Sequence, residues 1–98
     1  MYGIKVRIRS LLEDRDYDKI VECMLTDYDG HPHYFRDKLT SFYPDTDAVL
    51  PCDGVIRCML KEEHPKYAVV DTMLPDDVES TMGEYRFRVS YDDLTDNA

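Results

Sequence analysis

Ninety-eight residues suffice for one domain with a single small core. Apolar residues at 43% and charged residues at 34% exclude wholesale disorder, and no apolar run is long enough for a helix to span a bilayer. A formal charge of −9, from 21 acidic against 12 basic side chains, disfavours generic binding to nucleic acid or anionic lipid and favours encounter with basic partners.

The chain opens with Met1-Tyr2-Gly3 and enters a strand without an apolar signal region, so export is not expected. Cys23, Cys52 and Cys58 are odd in number and lack paired spacing, which favours free thiols and a reducing cytoplasm over a disulfide framework. Ile4, Val6 and Ile8 alternate with Lys5, Arg7 and Arg9, the period-two pattern of a strand with one buried face, over residues 2–9. Ser10-Leu11-Leu12-Glu13 then has the form of a helix capping box, and Tyr17, Ile20, Val21, Met24, Leu25 and Tyr28 suit a helical face. A strand competes, because Val21, Cys23 and Leu25 also alternate and are followed by Asp29-Gly30. Asp-Gly between two such runs is a hairpin signal, since the tight turn needs positive φ. The turn decides for the strand: a loop over 13–18, a second strand over 19–27, and a third over 31–39.

Residues 40–54 read as irregular, with turn clusters at 43–47 and 50–54 around Ala48-Val49-Leu50. A strand follows over 55–61, with Ile56, Cys58 and Leu60 on one face. A polar loop at 62–66 leads to a return strand over 67–74, which Pro75-Asp76-Asp77 stops. Residues 78–83 link onward, with room for one short turn of helix. The last strand, 84–91, sets Tyr85, Phe87, Val89 and Tyr91 against Glu84, Arg86, Arg88 and Ser90. The acidic tail 93–98 has little to bury and is expected to fray. Residues 1–92 thus form a single mainly β domain, a small antiparallel barrel or sandwich of about six strands.

Five of the twelve basic residues, Lys5, Arg7, Arg9, Arg86 and Arg88, lie on the outward faces of the two terminal strands. They make either an anion or oligonucleotide surface or a set of cations each paired with nearby carboxylates, and pairing is the expectation. Tyrosine gives contact area at low entropic cost, and Tyr34, Phe42 and Tyr43, with Asp45 and Asp47 beside them, mark the irregular middle as a recognition surface. His31 and His33 could supply two metal ligands, but no third or fourth is evident. Asp14, Asp16 and Asp18 begin like a calcium loop, yet Lys19 and Leu25 stand where its Gly and Glu belong. No metal or other cofactor is therefore expected. No phosphate-cradling Gly-rich loop or nucleophile elbow occurs, and the alternation that buries Cys58 removes it as a reactive partner for His64. An enzyme is the least favoured class.

The hairpin Asp27-Tyr28-Asp29-Gly30 with Tyr34-Phe35-Arg36-Asp37-Lys38, and the later Asp71-Thr72, Pro75, Glu79-Ser80-Thr81, Gly83 and Phe87-x-Val89, resemble segments of short uncharacterised bacterial proteins. The resemblance implies a bacterial cytosolic β-rich domain and brings no activity with it. The expected function is recognition of a macromolecular partner, a protein and a basic one, as an inhibitor or immunity protein would do. Acidic loops 13–18, 45–53 and 76–77 are the expected contacts. The alternative is a small β-barrel module binding a ligand or single-stranded nucleic acid through the basic strand faces.

Overall fold

The computed structural model describes residues 1–15, 19–44 and 47–96. These form seven strands: β1 (Tyr2–Asp14), β2 (Lys19–Thr26), β3 (Pro32–Lys38), β4 (Cys52–Glu63), β5 (Tyr67–Asp71), β6 (Arg86–Ser90) and β7 (Leu94–Thr95). Short 3₁₀ turns occupy Leu39–Ser41 and Tyr91–Asp93, and no α-helix occurs among the described residues. Every pairing is antiparallel, in the order β3-β2-β1-β4-β5-β6, with β7 added on β1. The sheet curls into a half-barrel.

Alternation places the core. Ile4, Val6 and Ile8 of β1, Val21, Cys23 and Leu25 of β2, and Phe87 and Val89 of β6 all point inward and are buried. Phe35 of β3, Ile56 and Cys58 of β4, and Ala68 and Val70 of β5 complete the strand contribution. Leu39 and Phe42 close one end from the segment between β3 and β4, and Val78 closes from the segment between β5 and β6. Where the curled edges approach, the Tyr28 N–H donates to the Arg88 carbonyl and the Thr81 N–H to the Tyr34 carbonyl. Phe35 also bridges to Ser80. The edge rings meet there too, His33 and Phe35 each packing edge-on against Phe87.

Several boundaries differ from the sequence expectation. The first strand does not stop at residue 9 and no loop begins at 13: β1 continues through the Ser10–Glu13 segment, and β2 pairs with it as far as Asp14. Two bulges carry the chain through, because Ile8 and Ser10 oppose Cys23 and Glu22, and Leu11 and Glu13 oppose Val21 and Ile20. Arg9 and Leu12 are thus the extra residues. The part of the proposed acidic loop at residues 16–18 lies outside the described residues. β4 starts three residues earlier than the 55–61 expectation and runs two further, while β5 ends at Asp71. There Thr72 is buried, its hydroxyl donating to the Val78 carbonyl and its N–H to the Tyr85 carbonyl. Those bonds hold residues 72–85 as a stitched loop, and the short helix allowed at 78–83 does not form.

The last strand is also shorter, Arg86–Ser90, with Tyr85 ahead of it and Tyr91 in the following turn. Part of the expected tail is placed in the sheet. Leu94 and Thr95 pair with Ile4 and Gly3, and Leu94 packs against the core. The rest of the expected tail, residues 97–98, lies outside the described residues. No helix among the described residues is long and apolar enough to cross a membrane.

Candidate functional site

The outward face of β1 carries Lys5 and Arg7, and β2 brings Met24 and Thr26 beside them. On the other side β4 contributes Asp53 and Val55, the latter directly opposite Lys5. Residues 42–44 border this face because the Val55 N–H donates to the Phe42 carbonyl at 2.9 Å. That approach needs a glycine next door: a Cβ on Gly54 would stand 2.8 Å from the Phe42 carbonyl oxygen and 2.8 Å from Ile8 Cδ1. The result is a groove of about 680 Å³, whose apolar lining includes Val6, Met24, Phe42, Tyr43, Pro44 and Val55. Asp93, from the turn before β7, stands at its far side with Lys5.

Four residues picked from the sequence, Lys5, Arg7, Phe42 and Tyr43, therefore meet at one place. They divide the work differently from their composition. Phe42 is buried and supplies the wall, Tyr43 is half-buried, and Arg7 is tied to Asp53 at 2.9 Å. Lys5 donates from Nζ to the Asp92 carbonyl at 3.1 Å. Met24, Thr26, Val55 and Asp93 were not singled out from the sequence. They come from three elements far apart in the chain, and no spacing within any one of them announces the groove.

The remaining candidates stand elsewhere. Arg9 lies over the Tyr34 ring at 5.6 Å and 3.8 Å from Glu22. Arg86 donates to Asp71 at 3.0 Å, and Arg88 sits 3.9 Å from Asp29 and over the Tyr67 ring. β4 and β5 separate the two basic strands, so the five cations do not form one patch and each has a partner of its own. Asp47 is exposed, and Asp45 lies outside the described residues.

The histidines are engaged structurally. Asp27 accepts the backbone N–H groups of Asp29 and His31, and its other oxygen is 2.8 Å from His33 Nε2. Glu84 stands 3.7 Å from the opposite ring nitrogen. Burial pushes the Asp27 carboxyl up, but the His33 hydrogen bond and the two N–H donors outweigh it and hold it below the usual carboxylate range. His64 bonds Glu62 at 2.9 Å and stacks on Tyr67. Burial raises the thiol of Cys23 strongly and, with Asp71 adding to it, pushes Cys58 up to about 12. Neither thiol is available as a thiolate near neutral pH. The Tyr85 hydroxyl lies 2.8 Å from a carboxylate oxygen of both Asp77 and Glu79, and those hydrogen bonds raise its pKa.

Among the described residues no group of three or more His, Cys, Asp or Glu side chains is arranged to hold a metal ion. What the groove offers chemically is an apolar seat with charges of both signs at its margin. Comparison with family models, curated proteins and solved structures finds no match to this chain.

Proposed function

We propose that this domain acts by binding a protein partner, which seats an apolar or aromatic side chain in the groove and surrounds it with basic residues. One observation carries the reading: an apolar seat with Asp53 and Asp93 at its margin opens on a chain of net charge −9. An anchor in a desolvated pocket with charge at its rim is the usual economy of a protein interface, the pocket giving affinity and the field giving encounter rate. Glu63 and Asp96 line a neighbouring depression with Lys5 and add acidic groups beside β7. An inhibitor or immunity protein directed at a basic enzyme or toxin is the instance this chemistry fits. Against single-stranded nucleic acid stands the separation of the five cations on two strands.

The test is affinity capture from the source cells on the immobilised wild-type protein and on Val55→Arg and Asp93→Lys variants, each first shown to keep the wild-type circular dichroism and melting behaviour. A basic protein should be retained by the wild type, lost from both variants, and released as salt shortens the Debye length to about 3 Å. Retention of the same protein by both variants, or capture of oligonucleotide in its place, would sink the reading.

A further inference from the structure

β1 outruns its neighbour. β4 pairs with it only as far as Ile8, opposite Cys52, and the residue before Cys52 is Pro51, which has no N–H to lengthen the ladder. From Arg9 to Asp14 the strand is paired along one edge with β2. No pairing or backbone hydrogen bond among the described residues reaches the opposite edge of this stretch. Every residue from 9 to 15 is exposed, Leu11 at 44% and Leu12 at 41% included. An open strand edge with exposed leucines is what β proteins use to pair with another chain.

We propose that this edge pairs with its counterpart in a second copy, giving a twofold antiparallel dimer centred on Leu11. The segment is self-complementary in that arrangement. Leu11 meets Leu11 on the axis, and Arg9 of each copy falls opposite Glu13 of the other, the pairing that cross-strand neighbours favour. The present contacts of these groups are weak and exchangeable: Glu13 pairs with Arg15, 62% exposed, and Arg9 reaches Glu22 only at 3.8 Å and the Tyr34 ring at 5.6 Å. A foreign basic strand would set like charge against Arg9, and an acidic one against Glu13. Another copy of the same segment matches both of these signs.

Twofold pairing uses the same edge of both molecules, so the contact closes at two and does not propagate. The bulges at Arg9 and Leu12 bend β1 on either side of Ser10-Leu11, which keeps the shared ladder short and the association weak.

Sedimentation equilibrium of the full chain from about 10 μM to about 1 mM, the range in which weak complexes form, tests the proposal. The wild type should show a reversible monomer–dimer equilibrium. Leu11→Lys, which sets two ammonium groups on the axis, and Arg9→Glu should each weaken it about tenfold or more. The double variant Arg9→Glu, Glu13→Arg should regain most of the loss, since the exchange restores opposite charges across the interface. All three changes are at exposed positions, and unchanged far-UV circular dichroism would confirm that the monomer keeps its fold. A wild type that stays monomeric throughout, a Leu11→Lys variant that dimerises undiminished, or a charge exchange no better than Arg9→Glu alone would overturn the proposal.

Discussion

Gly54 and Gly30 show two different reasons for the same residue. Gly30 sits at φ 84° with nothing within 4 Å of where a Cβ would be, so its need is conformational. Gly54 carries no such φ; its need is space, because the Phe42 backbone and Ile8 stand 2.8 Å from the missing atom. Gly54→Ala must move the 42–44 segment off β4, and is expected to cost about 1–3 kcal/mol in chemical denaturation as overpacked positions do. The same variant should weaken the wall of the groove. Asp27 gives a pH signature. Its carboxyl titrates lower folded than unfolded, so the stability it contributes is fully present above its unfolded pKa of about 4 and is lost as pH falls through the folded value. Asp27→Asn should therefore destabilise by about 1–3 kcal/mol at neutral pH, the worth of hydrogen bonds to a charged group. The gap between variant and wild type should narrow below about pH 4. Melting curves of both proteins from pH 2 to pH 8 would show it, and a gap independent of pH would rule the carboxylate out as the cause.

Regular elements were legible in the sequence wherever side chains alternated against a core. Ile4, Val6, Ile8 and Phe87, Val89 announced the terminal strands, and Asp29-Gly30 announced the β2–β3 turn. Legibility failed where the backbone departs from the pleat. Arg9 and Leu12 interrupt the period of two, so β1 looked finished at residue 9 and its continuation imitated a helix cap. Leu39, Phe42, Thr72 and Val78 enter the core from segments with no period at all. The groove was half legible: the residue types of Lys5, Arg7, Phe42 and Tyr43 invited attention, but their meeting depends on β4 lying beside β1, which no local pattern encodes. The loop from Thr72 to Tyr85 shows how an aperiodic element is held. Arg57 grips Asp76 through two hydrogen bonds from β4, and the Thr72 hydroxyl satisfies a carbonyl at the centre. Thr72→Val keeps the shape and removes the donor. It should cost about 1–2 kcal/mol, the penalty of a carbonyl buried without its partner. Amide exchange should rise across 72–85 more than in β1 or β2; an increase spread evenly over the sheet would refute the assignment.

At the scale of the molecule, the three thiols report how the half-barrel opens. Cys23 and Cys58 are buried and Cys52 is half-buried, and all three are free. Iodoacetamide under native conditions should modify Cys52 first, while Cys23 and Cys58 react only as fast as the sheet parts around them. Mass spectrometry of a time course would resolve the order. Simultaneous modification of all three would mean that the sheet separates as one unit. Charge acts at the same scale: with acid in excess and the strand cations engaged, repulsion between molecules should favour solubility at neutral pH. Finally, β1 is joined by β2 from its hairpin, by β4 from mid-chain and by β7 from residues 94–95. β1 thus acquires its last neighbour only after some ninety further residues have been synthesised. Such distant closure makes for slow folding and leaves the nascent strand in need of shelter during synthesis.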